Sequence, residues 1–230
     1  MFRRSRRTSP PDGVQAVWAA CAALLDYPTA GLLASLDEVE ALVPGHPHLG
    51  PLLEHLRGTD LRTLQEQYVE TFDHTRRCAL YLTYFAYGDT RRRGVALVQF
   101  KQAYRKAGVE FDEDSEELPD HLCVVLQFGA HVDVDGAWRL LNDHRAGIEM
   151  LRLALADRDD GAGSPWLGVL LALRDTLPEL AGEEAEAVRR LIAEGPPAEE
   201  VGLEGYGTDP SVSSRTPDLI SPPTIGVGAP

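Results

Sequence analysis

Residues 76–128 read RRCALYLTYFAYGDTRRRGVALVQFKQAYRKAGVEFDEDSEELPDHLCVVLQF. The first half is basic: Arg76, Arg77, Arg91, Arg92, Arg93, Lys101, Arg105 and Lys106 stand against the single acid Asp89. The second half is acidic, with Glu110, Asp112, Glu113, Asp114, Glu116, Glu117 and Asp120. Leu97, Phe100, Tyr104 and Ala107 recur at the three- and four-residue spacing of one helix face. A helix is therefore predicted up to about Ala107, with Asp89 or Thr90 as its cap and Gly108 as its stop. Leu118-Pro119-Asp120-His121-Leu122 opens the next helix. Pro119 sits in its first turn, where a missing N–H costs nothing, and Asp120 meets the positive end of the dipole. Leu122, Val125, Leu126 and Gly129 form its inner stripe.

The same period runs outward on both sides. One helix is expected from Gly13 to Asp26, on Val14, Val17, Trp18, Cys21, Leu24 and Leu25, and a second over Ala30–Leu42. A short helix covers Gly50–Leu56. Asp60 caps a helix whose stripe is Leu61, Leu64, Tyr68 and Phe72. Asp135 starts the longest helix, with Trp138, Leu141, Ile148, Leu151 and Leu155 spaced for burial. Pro165–Thr176, opened by Ser164, and Glu183–Ala193 complete the set. No persuasive strand alternation and no internal repeat occur. The reading is all-α: a single-domain helical bundle over residues 13–194. Residues 1–12 are expected to be a disordered basic arm, and the Pro-, Gly-, Ser- and Thr-rich residues 195–230 a disordered tail. Burial should fall on Trp18, Leu64, Tyr68, Phe72, Leu97, Leu126 and Trp138.

At 230 residues the chain can build one good core. The formal charge is −14; the first seven residues hold four Arg and no acid, which leaves −18 for residues 8–230. Such a body disfavours nonspecific binding to nucleic acid or anionic lipid and favours a soluble protein. Arg91, Arg92 and Arg93 nevertheless make a local basic surface, a candidate docking face. Only Lys101 and Lys106 among the 22 basic residues are Lys, and no Gly-Lys-Ser/Thr exists, so a P-loop is excluded. Cys21, Cys78 and Cys123 are isolated, which argues against disulfides and structural zinc and suits a reducing compartment. They read as small buried hydrophobes. His46 and His48 lie on a Pro-flanked loop and read as solvated. Asp112–Glu117 lacks the calcium-loop pattern and reads as a solvated linker facing the basic helix. Arg3-Arg4-Ser5-Arg6-Arg7 before Val14–Leu25 mimics a twin-arginine signal, but Pro10, Pro11 and Asp12 intervene and the apolar residues keep helical spacing. No run of 18 or more apolar residues occurs. His121 is the sharpest single candidate for chemistry, yet no second placed group accompanies it.

Two motifs together carry a resemblance. Tyr68-Val69-Glu70-Thr71-Phe72-Asp73, followed by Arg76–Tyr84 and Gly88-Asp89-Thr90-Arg91-Arg92-Arg93-Gly94, is the first. Glu117-Leu118-Pro119-Asp120-His121-Leu122 is the second. In this order and spacing they resemble the delta subunit of respiratory nitrate reductase, the NarJ-type molybdenum-cofactor assembly chaperones of the wider TorD-like class. The likeness runs in helix order over residues 14–194 and is motif-specific over 68–128. It implies an all-helical cytoplasmic chaperone, without catalytic residues or a cofactor of its own, that stays out of the finished enzyme. Its partner would be the N-terminal peptide of the nitrate reductase catalytic (alpha) subunit, held competent for molybdenum cofactor insertion; cofactor-biosynthesis proteins are further partners it could meet. It implies no nucleic acid partner and no stable membrane insertion. The implied peptide groove comprises Tyr81, Tyr84, Gly88, Glu117, Pro119, Asp120 and His121, with Asp120 and His121 opening onto a cleft. Cys123 stands where the family often has Pro, and Gln127 where it often has Glu. The physics is compatible: Tyr rings give contact area at low entropy cost, and acids at 112–120 suit Arg or Lys on a peptide helix. The competing readings are a generic helical peptide-binding or regulatory module, and an enzyme acting on the cofactor with His121 as general acid or base.

Overall fold

The computed structural model describes residues 9–194, apart from 89, 113, 116, 159, 160 and 181. The expectations for residues 1–8 and 195–230 lie outside the described residues. Twelve α-helices run through the described part: α1 (Val14–Leu25), α2 (Ala30–Ala34), α3 (Leu36–Leu42), α4 (Gly50–Gly58), α5 (Leu61–Phe72), α6 (Tyr84–Tyr87), α7 (Arg91–Lys106), α8 (Leu122–His131), α9 (Val134–Asp143), α10 (Arg145–Ala156), α11 (Leu167–Asp175) and α12 (Gly182–Glu194). A 3-10 turn spans Arg76–Cys78. Among the described residues the only β pairing is an isolated antiparallel bridge between Tyr81 and His121. The all-α expectation holds.

The core is centred on α1, which lies along α8 and also touches α3 and α11. Trp18, Cys21, Leu24 and Leu25 of α1 are wholly buried, as are Leu122, Val125 and Leu126 of α8. Gly129 lets α8 come this close: a Cβ there would lie 2.5 Å from Trp18 Cε3 and 2.6 Å from the Ala137 methyl of α9. Two buried polar tips are paired across the core, which offsets the cost of taking them from water. Trp18 Nε1 donates to Thr176 Oγ1 at 3.0 Å, and Tyr68 OH donates to the Leu25 carbonyl at 2.9 Å. Tyr68, Phe72 and Trp166 pack as an aromatic cluster at the end of α5. All three cysteines are free and buried, and burial raises the Cys21 thiol to about 12.

Several expectations need correction. The helix over 30–42 breaks at Ser35, whose hydroxyl donates to the Leu32 carbonyl and whose backbone leaves the helical region. The long helix from Asp135 is two: Asp133, not Asp135, caps α9 through the Gly136 N–H, and His144 (φ −110°, ψ 22°) separates α9 from α10. The His144 ring Nδ1 lies 2.9 Å from the Leu140 carbonyl, and the ring packs on Phe100. The longest described helix is therefore α7, at 16 residues. Thr90 stands at its N-cap position but does not cap it; its hydroxyl donates back to the Tyr87 carbonyl. On α7 the buried positions are Ala96, Phe100 and Tyr104, whereas Leu97 is half-buried. The other six residues expected in the core are buried. The helix expected to open at Pro165 begins at Leu167, and Ser164 Oγ accepts from the Trp166 N–H just before it. His48 is not merely solvated, since its Nε2 lies 3.0 Å from Asp175 Oδ2.

Candidate functional site

Two distant segments meet in one junction. Residues 79–81 link the Arg76–Cys78 turn to a second turn at Leu82 and Thr83 that leads into α6, and residues 118–121 form the turn before α8. The Leu122 N–H donates to the Leu80 carbonyl at 2.8 Å, and the Leu82 N–H to the Asp120 carbonyl at 3.1 Å. Asp120 is wholly buried. Its Oδ2 accepts from the Thr83 N–H at 3.0 Å and from the Thr83 hydroxyl at 2.5 Å. Arg93 reaches in from α7: its Nε donates to Thr83 Oγ1 at 3.3 Å, and Nη2 lies 4.0 Å from Asp120 Oδ2. The Arg93 guanidinium also lies over the rings of Tyr81 and Tyr84, 5.2 and 5.9 Å from their centres. Tyr104 of α7 closes the junction from below, its hydroxyl donating to the Pro119 carbonyl at 2.5 Å.

The outer edge of this junction is less buried. Tyr81, Tyr84 and Glu117 are each half-buried. Tyr81 OH donates to Glu117 Oε2 at 2.8 Å, and His121 Nε2 lies 3.7 Å from the same oxygen. The Tyr81 and His121 rings meet edge to face, 5.2 Å apart. Burial first, and then the bond to Glu117, push the Tyr81 hydroxyl well above its ordinary range, so it acts as a donor. Burial lowers His121 against the opposing pull of Glu117 and Asp120, which favours a neutral ring. Gly88 ends α6 with φ 55° and ψ −154°, a backbone state that side chains essentially forbid, and its N–H donates to the Tyr84 carbonyl.

The structure thus brings Tyr81, Tyr84, Glu117, Pro119, Asp120 and His121 together, with Gly88 at the end of the adjoining helix. It corrects their expected roles in the fold. Pro119 and Asp120 precede α8, whose first residue is Leu122 and whose N-cap is His121. Asp120 serves the Thr83 turn, not the α8 dipole. Neither Asp120 nor His121 opens onto a cleft: they are 0% and 7% exposed. Thr83 and the inward turn of Arg93 were missed, because their partners lie across the fold. Arg91 and Arg92 do not join Arg93; both are exposed on the far side of α7.

A groove of about 500 Å³ lies elsewhere, between α1, α2 and α8, with Asp26, Tyr27, Gln127 and His131 on its walls and alanines of α1 on its floor. Gln127 faces this groove, whereas Cys123 is buried. None of the motif residues lines it. A second feature without a sequence signal is a buried ion cluster on α10. Glu149, 7% exposed, pairs with Arg145 at 3.0 Å and Arg152 at 2.8 Å, with Arg174 at 3.9 Å. Among the described residues no His, Cys, Asp and Glu group could hold a metal ion, and no helix is long and apolar enough to cross a membrane.

The described residues therefore form a helical body whose polar groups converge on a tied turn with an aromatic and acidic edge. That fold is shared with a crystal structure assigned to a redox enzyme maturation protein of Archaeoglobus fulgidus, with a TM-score of 0.53 over 75% of this chain and 98% of the other. At 21% identity the likeness concerns the fold alone. The chain belongs to the nitrate reductase delta subunit family, whose model matches residues 16–172. It is 40% identical over 143 residues to the nitrate reductase-like protein NarX of Mycobacterium tuberculosis, covering 61% of this chain but spanning 22% of NarX. It is 30% identical over 169 residues (71% of this chain, 90% of the relative) to the Bacillus subtilis protein named "Probable nitrate reductase molybdenum cofactor assembly chaperone NarJ". The Escherichia coli chaperone of that name is 31% identical over 144 residues, 59% of this chain and 60% of its own.

Proposed function

We propose that this protein is an assembly chaperone for nitrate reductase. It works in the cytoplasm, is not an enzyme, and binds the N-terminal peptide of the catalytic subunit to keep that subunit competent for molybdenum cofactor insertion. The observation that carries the reading is the half-buried edge of Tyr81, Tyr84 and Glu117, held in place by wholly buried Asp120. Tyrosines supply rigid contact area, and Glu117 supplies a carboxylate for an Arg or Lys of the peptide. Exposed Glu110, Asp112 and Asp114 extend the negative field. Gly88, Pro119, Asp120 and His121 act in this reading as positioning residues behind the edge. No bond is made or broken, so the absence of an activated nucleophile from the motif is no obstacle.

The test is a calorimetric titration of that peptide into the wild-type chain, Tyr81→Ala and Glu117→Gln. Each substitution should weaken binding by roughly tenfold or more, as expected for a lost hydrogen bond to a charged group or a lost aromatic contact. Unchanged affinity in both variants would remove the peptide from this edge. The groove between α1, α2 and α8 is the second location to examine, because Tyr27 and Asp26 repeat the pairing of a tyrosine with an acid there. Ala23→Phe should fill it; loss of binding in that variant alone would move the site.

A further inference from the structure

Helix α7 shows two unlike sides. The inner side carries buried Ala96, Phe100 and Tyr104, and Arg93 turns in with them. At about 100° per residue, Arg91, Arg92, Val95, Val98, Arg105 and Lys106 fall on one outer arc of roughly 140°, with only glutamines between them. All six are exposed, and the two valines are 68% and 47% exposed. No acid occurs between residues 91 and 106. Among the described residues, none of Arg91, Arg92, Arg105 and Lys106 takes part in an ion pair. The stripe is bordered by acid: the loop that follows exposes Glu110, Asp112 and Asp114.

We propose that the outer face of α7 is a docking surface for an acidic segment of a partner protein that also carries apolar side chains. The four cations recognise carboxylates, with the arginines able to grip them by two parallel bonds. Val95 and Val98 give the middle of the stripe an apolar contact that an ion pair alone would not need. The dimensions decide between partner classes. The stripe is about 22 Å long and one helix, or about 10 Å, wide. The loop that follows the stripe carries exposed acids of opposite charge. A flat anionic membrane or a nucleic acid duplex would meet the flanking acids of a body with a net −18 over residues 8–230. A single polypeptide segment fits between them. This surface is opposite in sign to the Tyr81–Glu117 edge and does not depend on it.

The experiment uses the full chain and a fluorescein-labelled peptide of about 18 residues, with Leu at every third or fourth position and Glu between them. Fluorescence anisotropy should show saturable binding that weakens as salt is raised. Arg91→Glu with Arg92→Glu should weaken it at least about tenfold, and Val95→Ser with Val98→Ser should do so independently. Melting curves should stay unchanged, because all four side chains are exposed. A companion peptide with every Leu replaced by Ser should bind at least about tenfold more weakly. No binding by the wild type, wild-type affinity in either double variant, or equal affinity for the two peptides would overturn the proposal. So would co-sedimentation with phosphatidylglycerol vesicles, or retention of a DNA duplex, that the same charge reversals abolish.

Discussion

Replacing Asp120 by Ala should unfold the junction before it affects any ligand. The carboxylate is wholly buried and accepts two bonds from Thr83, whose own side chain is also buried. A hydrogen bond to a charged group contributes about 1.5–3 kcal/mol, and a buried donor left unpaired costs about 1–3 kcal/mol. Arg93, only 15% exposed at its side chain, would also lose the charge 4.0 Å away. Breaking a buried pair costs on the order of 3–5 kcal/mol, and these contributions overlap because they share one oxygen. A total of about 3–5 kcal/mol is a large part of a stability that is typically about 5–15 kcal/mol. In a chain of this size it lowers Tm by roughly 6–20 °C. Asp120→Asn keeps an acceptor and should cost about half as much. Thermal melts followed by circular dichroism, with the peptide titration run well below Tm, separate stability from binding. An Asp120→Ala protein that melts within about 2 °C of the wild type yet no longer binds would refute the positioning role and make Asp120 a direct contact.

Three further outcomes are expected. Gly129→Ala should drive a methyl into Trp18 and Ala137, destabilising by about 1–3 kcal/mol or more; a urea titration followed by tryptophan emission reads it. Glu149→Ala leaves Arg145, 7% exposed at its side chain, facing Arg152 and Arg174 without its counter-ion, and should cost about 3–5 kcal/mol by the same titration. His121 and His144 are both lowered by burial from an ordinary 6.5. The unfolded chain therefore takes up protons that the native state refuses. Stability is full above pH 6.5, falls as pH drops below it, and levels off once the native rings protonate. Urea midpoints between about pH 7 and 5 should show this slope, and His121→Gln should flatten part of it.

The helices were legible because their apolar stripes are long and repeat at helical spacing, as on α1, α5 and α8. The breaks at Ser35 and His144 were not, because no Gly or Pro marks them; a side-chain bond to a carbonyl three or four residues back accompanies each. On α7 both Ala96 and Leu97 fit a stripe through Phe100 and Tyr104. The fold buries Ala96 and leaves Leu97 half-buried, and nothing local announces which. The motif residues were found, but not what they do in the fold. Asp120 beside a helix start invites a dipole role by local rules, whereas its partner Thr83 lies 37 residues away. The ion cluster around Glu149 was missed for a related reason: Arg145, Glu149 and Arg152 resemble an ordinary exposed helix face until α11 brings Arg174 alongside.

Hydrogen exchange of the full chain, with and without the N-terminal peptide of the nitrate reductase catalytic subunit, tests binding and location together. The expected result is slowed exchange at residues 80–88 and 117–124, where the Tyr81–Glu117 edge and its supporting turn lie, with residues 19–32 unchanged. No protection anywhere at saturating peptide, or protection confined to residues 19–32 and 127–131, would contradict the account.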